Sequence, residues 1–207
     1  MTTIDRSRER ARTTLAASAA LLALTVSAPL RPTAAQEPLP VVTTLAVYAA
    51  VVEEIGGDAV RVESIAGPVA DAHFIRPTPS FAVRVRTADL FVTTGLDLEL
   101  WVPALLDRAG NAAVSEGGIG YVTTYVGVPM LNVPETASRR DGDVHIYGNP
   151  HLHTDPLRTL QVARYITTGL RRVDPGRSAL WDQGLADFTD RIHGALFGEE
   201  LVESLGG

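Results

Sequence analysis

Histidines are the residues of this sequence whose chemistry and spacing stand out. The chain contains five, and four of them lie in two segments that are predicted to be loops, with His73 in the first and His145, His151 and His153 in the second. Neutral imidazole is a common ligand for zinc and other transition metals. Residues two apart in an extended chain point to opposite sides, so His151 and His153 can share a metal only if the backbone turns between them. These four residues are the candidate metal ligands.

The composition excludes several function classes. Cysteine is absent, which excludes disulfides, thiolate nucleophiles and cysteine-ligated zinc. All 18 basic residues are arginine, so Schiff-base chemistry and a P-loop lysine are excluded as well. The net charge is -6 and the sequence pI is about 5.3, which argues against a nucleic-acid partner and suits a cationic ligand. A chain of 207 residues can bury one sizeable core but is short for two full lobes.

The N-terminal segment has the pattern of an export signal. Four arginines between positions 6 and 12 precede an apolar stretch at 15–26, and small residues follow up to Ala35. The apolar stretch is shorter than the roughly 20 residues that span a bilayer. Residues 1–35 are therefore predicted to be a secretory signal, and an uncleaved membrane anchor is the alternative. The mature protein is predicted to be exported, either periplasmic or extracellular.

Strand and helix patterns alternate through the first half of the mature chain. Apolar runs rich in β-branched residues predict strands at 41–47, 89–94 and 121–126, and an alternating pattern predicts another at 60–66. Helical patterns occupy 48–55, 79–86 and 98–109. This alternation predicts an α/β fold with a parallel four-stranded sheet flanked by helices. Such sheets bind ligands at the carboxyl ends of their strands. His73 follows the second predicted strand, and the other three candidates follow the fourth.

The second half is predicted to be helical after a loop at 132–150. Asp155-Pro156 and Asp174-Pro175 are each typical of a helix start, because an acidic cap precedes a proline in the first turn. The helix after Asp174 carries Trp181, Leu185 and Phe188 on one apolar face. Asp155 is therefore explained better as a helix cap than as a metal ligand.

Several motifs occur in an order that resembles a known family. They are Asp-x-His-x-x-x-Pro-Thr-Pro at 71–79, Ala-Asp-Leu-Phe-Val at 88–92, Gly-Leu-Asp-Leu-Glu at 95–99 and Gly-Asn-Pro-His-x-x-x-Asp-Pro at 148–156. Together they resemble zinc- and manganese-binding substrate-binding proteins of bacterial ABC importers, over about residues 40–205. The resemblance implies two α/β lobes joined by a long helix, with the metal between them. It assigns His73 and His151 as ligands and leaves His145 and His153 as further candidates.

The sequence departs from this family at two points. Ala72 stands where the family has a proline before its first ligand. The family's remaining ligands come from a second lobe, and the sequence reaches its last residue near the expected end of the connecting helix. The predicted organisation is a signal at 1–35, a metal-binding lobe at 36–155 and a helical segment at 156–207 that includes the connecting helix, without a C-terminal lobe. A second chain or lobe, or His145 and His153, would then complete the site.

The resemblance implies a protein that captures Zn²⁺ or Mn²⁺ outside the cytoplasmic membrane and delivers it to a membrane permease, without enzymatic activity. The first alternative is a zinc-dependent hydrolase that uses His151-x-His153-x-Asp155, in which the metal would activate a bound water. The second is a non-functional fragment of a split gene. Such a fragment would expose the apolar face around Trp181, Leu185 and Phe188.

Overall fold

A parallel four-stranded sheet forms the centre of the protein. The computed structural model describes residues 36–136 and 145–205, and the predicted signal at 1–35 lies outside them. The strands follow the chain as β1 Leu39–Thr43, β2 Val60–Ser64, β3 Leu90–Thr93 and β4 Tyr121–Thr123. Their order in the sheet is β2-β1-β3-β4, and every pairing is parallel. The predicted fold class is confirmed.

The two central strands, β1 and β3, are buried on both faces of the sheet, which explains why they are mostly apolar. Val41 of β1 faces one hydrophobic core, and the next residue, Val42, faces the other. In β3, Leu90 and Val92 face the first core, whereas Phe91 faces the second. This alternation follows from the two-residue period of a strand.

Six helices surround the sheet in the described part of the chain. They are α1 Ala46–Gly56, α2 Pro79–Arg86, α3 Val102–Ala109, α4 Pro156–Val173, α5 Ser178–Phe197 and α6 Glu199–Leu205. Helices α1, α4 and α5 pack on one face of the sheet, and α2 and α3 pack on the other. None of the helices that the structure describes has the combination of length and apolarity needed to cross a membrane.

The long helix α5 packs closely against the rest of the protein. Trp181 is fully buried, and Phe188 is almost fully buried in the core that α1 and α4 share. Gly184 lies directly against the backbone of Ile55 in α1, where a side chain would not fit. The apolar face of this helix is therefore covered, in contrast to the exposed face expected of a non-functional fragment.

Two helices begin later in the chain than the sequence predicts. Helix α3 begins at Val102 rather than at residue 98, because Gly95 and Leu96 both have positive φ angles, 82° and 58°, and the chain makes a turn there. Helix α5 begins at Ser178 after a short 3-10 turn. Asp174 makes no side-chain cap of that turn. Its carboxylate instead pairs with Arg177.

Candidate metal centre

Three of the four candidate histidines meet at the carboxyl edge of the sheet. His73 lies in a 3-10 turn, Ala72–Phe74, after β2. His145 and His151 lie in the connection between β4 and α4. One ring nitrogen of each lies within 4.8 Å of a ring nitrogen of both others, and all three side chains are half-buried. The strand order explains this convergence, because the loops after parallel strands emerge at the same edge.

His73 and His151 are held by the same local motif. Asp71 lies two residues before His73, and Asn149 lies two residues before His151. The Oδ1 atom of each accepts two hydrogen bonds. Asp71 Oδ1 accepts from the backbone N–H of His73 at 3.0 Å and from its Nδ1 at 2.7 Å. Asn149 Oδ1 accepts from the same two groups of His151 at 3.0 and 2.8 Å. Each ring therefore carries its proton on Nδ1 and presents Nε2.

His145 is held from a distant part of the chain. Its Nδ1 lies 2.8 Å from Oδ1 of Asp97, in the loop after β3. An ionised carboxylate can only accept, so this ring also carries its proton on Nδ1. A second ring nitrogen bound to a carboxylate or amide oxygen is the usual arrangement of metal-binding histidines, because it fixes the ring and its tautomer.

Two of the three rings bring their Nε2 atoms close enough together to share a cation. A neutral ring with its proton on Nδ1 carries a lone pair on Nε2, and Nε2 of His73 lies 3.3 Å from Nε2 of His145. Two lone pairs at this distance repel each other, and a shared cation removes the repulsion. Ligands about 2.05 Å from a tetrahedral zinc ion are separated by about 3.3 Å. The spacing of this pair therefore suits a bound metal ion.

Neutral imidazoles are favoured by the surroundings of His151. Burial lowers its pKa, and the neighbouring rings of His145 and His73 lower it further. Asp71, in contrast, is kept ionised, because the backbone N–H and then the side chain of His73 lower the pKa of its carboxyl. A neutral ring supported by an ionised carboxylate is the state that binds a metal.

His153 lies beside the cluster but outside the group of three. Its ring packs edge-on against Tyr48, with ring centroids 6.1 Å apart. Its buried Nδ1 has no hydrogen-bond partner among the described residues. Burial, and then the charge of His151, lower its pKa. Together with His73 and His151 it lines a cleft of about 370 Å³.

Asp155 acts as the cap of helix α4. Its Oδ1 atom accepts hydrogen bonds from the backbone N–H groups of Leu157 at 2.9 Å and Arg158 at 3.3 Å. Its second oxygen faces the guanidinium of Arg158. This confirms the interpretation of Asp155 as a cap and removes the carboxylate on which the hydrolase alternative depends.

Sequence reasoning did not assign Asp97 and Asn149 to the site, although both lie in motifs that carried the resemblance. Asn149 could have been found, because Asp71-x-His73 and Asn149-x-His151 share one spacing. Asp97 had no such signal, since its partner His145 lies 48 positions away.

The fold and the site define an α/β metal-binding domain whose histidines lie at the carboxyl edge of a parallel sheet. The chain belongs to the ZnuA family, described as "Zinc-uptake complex component A periplasmic", whose model matches residues 41–195. This is a family of solute-binding components of metal importers, and the predicted resemblance is confirmed.

Named relatives bind different metals. The chain is 26% identical to the iron-binding protein YfeA of Yersinia pestis, over 89% of this chain and 55% of that protein. It is 25% identical to the zinc-binding lipoprotein AdcA of Streptococcus pneumoniae, over 74% of this chain and 30% of AdcA. It is 23% identical to the manganese ABC transporter substrate-binding lipoprotein PsaA of Streptococcus mitis, over 77% of this chain and 50% of PsaA. The chain thus spans between about a third and about half of these relatives' length.

Solved structures share the fold. A zinc-bound deletion mutant of ZnuA superposes with a TM-score of 0.63 at 22% identity, over 75% of this chain and 55% of that one. The arrangement of sheet and helices is therefore that of a ZnuA-like lobe.

Proposed function

We propose that this protein captures a divalent metal ion, Zn²⁺ or Mn²⁺, outside the cytoplasmic membrane and delivers it unchanged to the permease of an ABC importer. The observation that carries the proposal is the convergence of one ring nitrogen from each of His73, His145 and His151. Each of these rings has its Nδ1 proton bound to an oxygen acceptor. Membership of the ZnuA family supports the assignment to metal import.

The ligands we propose are His73 and His151, with His145 as the third. The sequence offers His145 and His153 as further candidate ligands. The place of His145 in the cluster of three histidines favours it over His153. Three imidazoles leave one position of a tetrahedral zinc ion for a water molecule or for a donor from a second lobe or chain. An accessible fourth position suits a protein that must release its ion.

Between the two metals, the donor set favours zinc. Imidazole nitrogen suits zinc, whereas carboxylate and carbonyl oxygens suit manganese. The cluster found among the described residues consists of three histidines. The carboxylates of Asp71 and Asp97 accept hydrogen bonds from Nδ1 of His73 and His145, on the side of each ring that faces away from the ion. From there they offset part of the ion's charge.

Export and delivery belong to the same proposal. The N-terminal sequence pattern and the periplasmic description of the family support a location outside the cytoplasmic membrane. The domain organisation we propose has a signal at 1–35, the metal-binding lobe at 36–155 and a helical segment at 156–207 that contains the connecting helix.

Calorimetric titration with zinc tests the proposal. We expect the purified protein to bind one zinc ion, and the double variant His73→Ala with His151→Ala to lose this binding. His193→Ala is the matched control, because His193 lies in α5 and is not one of the clustered histidines. Unchanged zinc binding by the double variant would refute the site, provided that circular dichroism shows both variants to be folded.

A further inference from the structure

A buried carboxylate outside the histidine cluster lies in the loop that carries Asp97. Glu99 is 4% exposed and follows β3 in the loop that leads to α3. Its side chain accepts five hydrogen bonds, from the hydroxyls of Thr44, Thr93 and Thr94 and from the backbone N–H groups of Thr94 and Gly95. A carboxylate buried this deeply is stable only when such donors surround it.

The threonines around Glu99 come from a pattern at the ends of the strands. Strands β1, β3 and β4 each run into a Val-Thr-Thr sequence, at 42–44, 92–94 and 122–124. The second threonine of each, Thr44, Thr94 and Thr124, is fully buried. Thr44 and Thr94 donate to Glu99 directly. Thr124 donates to the hydroxyl of Tyr48 instead, and that hydroxyl bonds to Thr94.

Glu99 closes the loop on itself. The loop consists of residues 94–101. Glu99, in its second half, accepts hydrogen bonds from the backbone N–H groups of Thr94 at 3.0 Å and Gly95 at 3.2 Å, at its beginning. Leu96, which lies between Gly95 and Glu99, has a φ of 58°, in the left-handed region that residues with a side chain rarely adopt. Such a conformation persists when the surrounding contacts hold it in place. The bond from Thr44 at 2.5 Å also ties the loop to β1.

The closed loop contacts two of the three histidine positions. Asp97, at its turn, accepts from Nδ1 of His145 at 2.8 Å. Trp101, at its end, donates its Nε1 hydrogen to the backbone carbonyl of Ala72 at 2.7 Å, next to His73. The remaining ring, His151, is held by its own neighbour Asn149 and does not depend on this loop.

We propose that Glu99 is a positioning residue of the metal centre: by closing the loop 94–101, it fixes Asp97 against His145 and Trp101 against the turn that carries His73. This inference rests on the proposed function only for its effect on metal affinity. The effect on the rings themselves exists without a metal.

Glu99→Gln is the principal test, because glutamine keeps the size of the side chain and loses acceptor capacity. Nitrogen-detected NMR spectra of the metal-free protein report which ring nitrogen of each histidine carries the proton. We expect His145 to change from the single Nδ1–H form to a mixture of forms, while His151 keeps its signal. Zinc affinity should fall about 10- to 100-fold, as for the loss of other groups that orient metal ligands.

Two matched variants separate positioning from stability. Thr44→Val removes one hydroxyl bound to Glu99, and Thr124→Val removes a hydroxyl of the same network that reaches Tyr48 instead. Both threonines are fully buried at strand ends, so we expect similar losses of stability. Only Thr44→Val should disturb the His145 signal. If Glu99→Gln does not fold, this pair decides the question.

The inference is overturned if the ring signals of His73 and His145 are unchanged in folded Glu99→Gln. It is also overturned if Thr44→Val and Thr124→Val have equal effects on the His145 signal. If the unmodified protein binds no zinc, the proposed function fails. The ring signals of the metal-free variants still decide whether Glu99 positions the loop.

Discussion

The Nε2 atoms of His73 and His145 lie 3.3 Å apart, although 72 positions separate the two residues in the chain. Asp71 and Asp97 fix the protons of both rings on the opposite nitrogen. When both rings are neutral, their Nε2 lone pairs face each other, which is unfavourable in the absence of a cation. This relationship supports the proposed role of His145 as the third ligand.

Loss of a group that supports a metal ligand lowers metal affinity about 10- to 100-fold. We predict that His145→Ala weakens zinc binding by more than this. The reason is that the variant removes one of three nitrogen donors. His153→Ala is the control, since His153 lies outside the group of three, and it should change the affinity little. Competition titration with a zinc indicator measures both variants. Equal effects of the two would contradict the assignment of His145.

The second prediction concerns Asn149, which orients His151. We expect Asn149→Ala to lower zinc affinity about 10- to 100-fold, because the His151 ring loses the acceptor that fixes its tautomer. Asn149→Asp should retain most of the affinity, because its carboxylate can accept the same two hydrogen bonds. Calorimetry on the two variants measures the difference. A loss of affinity in Asn149→Asp as large as in Asn149→Ala would show that hydrogen-bond acceptance is not the role of this residue.

The folded protein should become less stable as the pH falls below about 6.5. Burial holds the pKa values of His151 and His153 below that of an ordinary histidine. The unfolded chain, with histidine pKa values near 6.5, therefore takes up protons that the folded state does not, and acid favours unfolding. The stabilising contribution of the two rings is complete above about pH 6.5 and decreases as the pH falls.

Urea denaturation of the metal-free protein between pH 7.5 and 5.5 measures this dependence. His153→Gln removes one of the two groups and should reduce the loss of stability over this range. Comparing the two proteins at each pH isolates the contribution of His153, since all other groups titrate in both. An identical pH dependence in the two proteins would contradict the prediction.

Asp155 provides a test of the cap interpretation against the hydrolase alternative. We expect Asp155→Ala to reduce the free energy of unfolding by about 1 kcal/mol, because two backbone N–H groups of α4 lose their acceptor. Zinc affinity should not change. Thr78→Ala is the control, because Thr78 precedes α2 without a side-chain cap hydrogen bond, and it should cost less. Loss of zinc binding in Asp155→Ala would instead make Asp155 part of the metal site.

Most of the fold could be predicted from the sequence, because its signals are local. The central strands are apolar runs with β-branched residues, and β2 alternates apolar and polar residues. Asp155-Pro156 marks the start of α4, where the Asp155 side chain caps the helix. Both layers of helices follow from strand-helix alternation. The start of α3 could not be predicted, because the sequence from residue 98 has helical composition. The carboxylate of Glu99 bonds back to Thr94 and Gly95, so the chain turns there before the helix begins.

Only part of the candidate site could be proposed from the sequence. The resemblance pointed to His73 and His151, whose supporting residues lie two positions before them. The role of His145 depends on Asp97, and the two meet only when the loops after β3 and β4 emerge at one edge of the sheet. A contact set by strand order leaves no mark in the spacing of the residues. The repeated Val-Thr-Thr endings of three strands were a visible signal for the Glu99 network.

The packing of α5 on α1 leads to the last prediction, which uses two glycines of the same helix. A Cβ atom on Gly184 would collide with the backbone carbonyl of Ile55, so Gly184→Ala must push the helices apart or strain them. We expect a loss of about 1–3 kcal/mol in the free energy of unfolding, as for other overpacked sites. Gly194→Ala is the matched control, because the nearest atom to its added Cβ is Glu199 Cγ at 3.9 Å.

Gly194→Ala should stabilise the protein by about 0.5–1 kcal/mol, since alanine replaces glycine inside a helix without a clash. Urea denaturation of both variants measures the two changes, which are expected to have opposite signs. The two glycines lie in one helix, so a general intolerance of α5 to substitution would destabilise both. Opposite signs would instead show that Gly184 is required by the close approach of α5 to Ile55, the contact that packs α5 against α1.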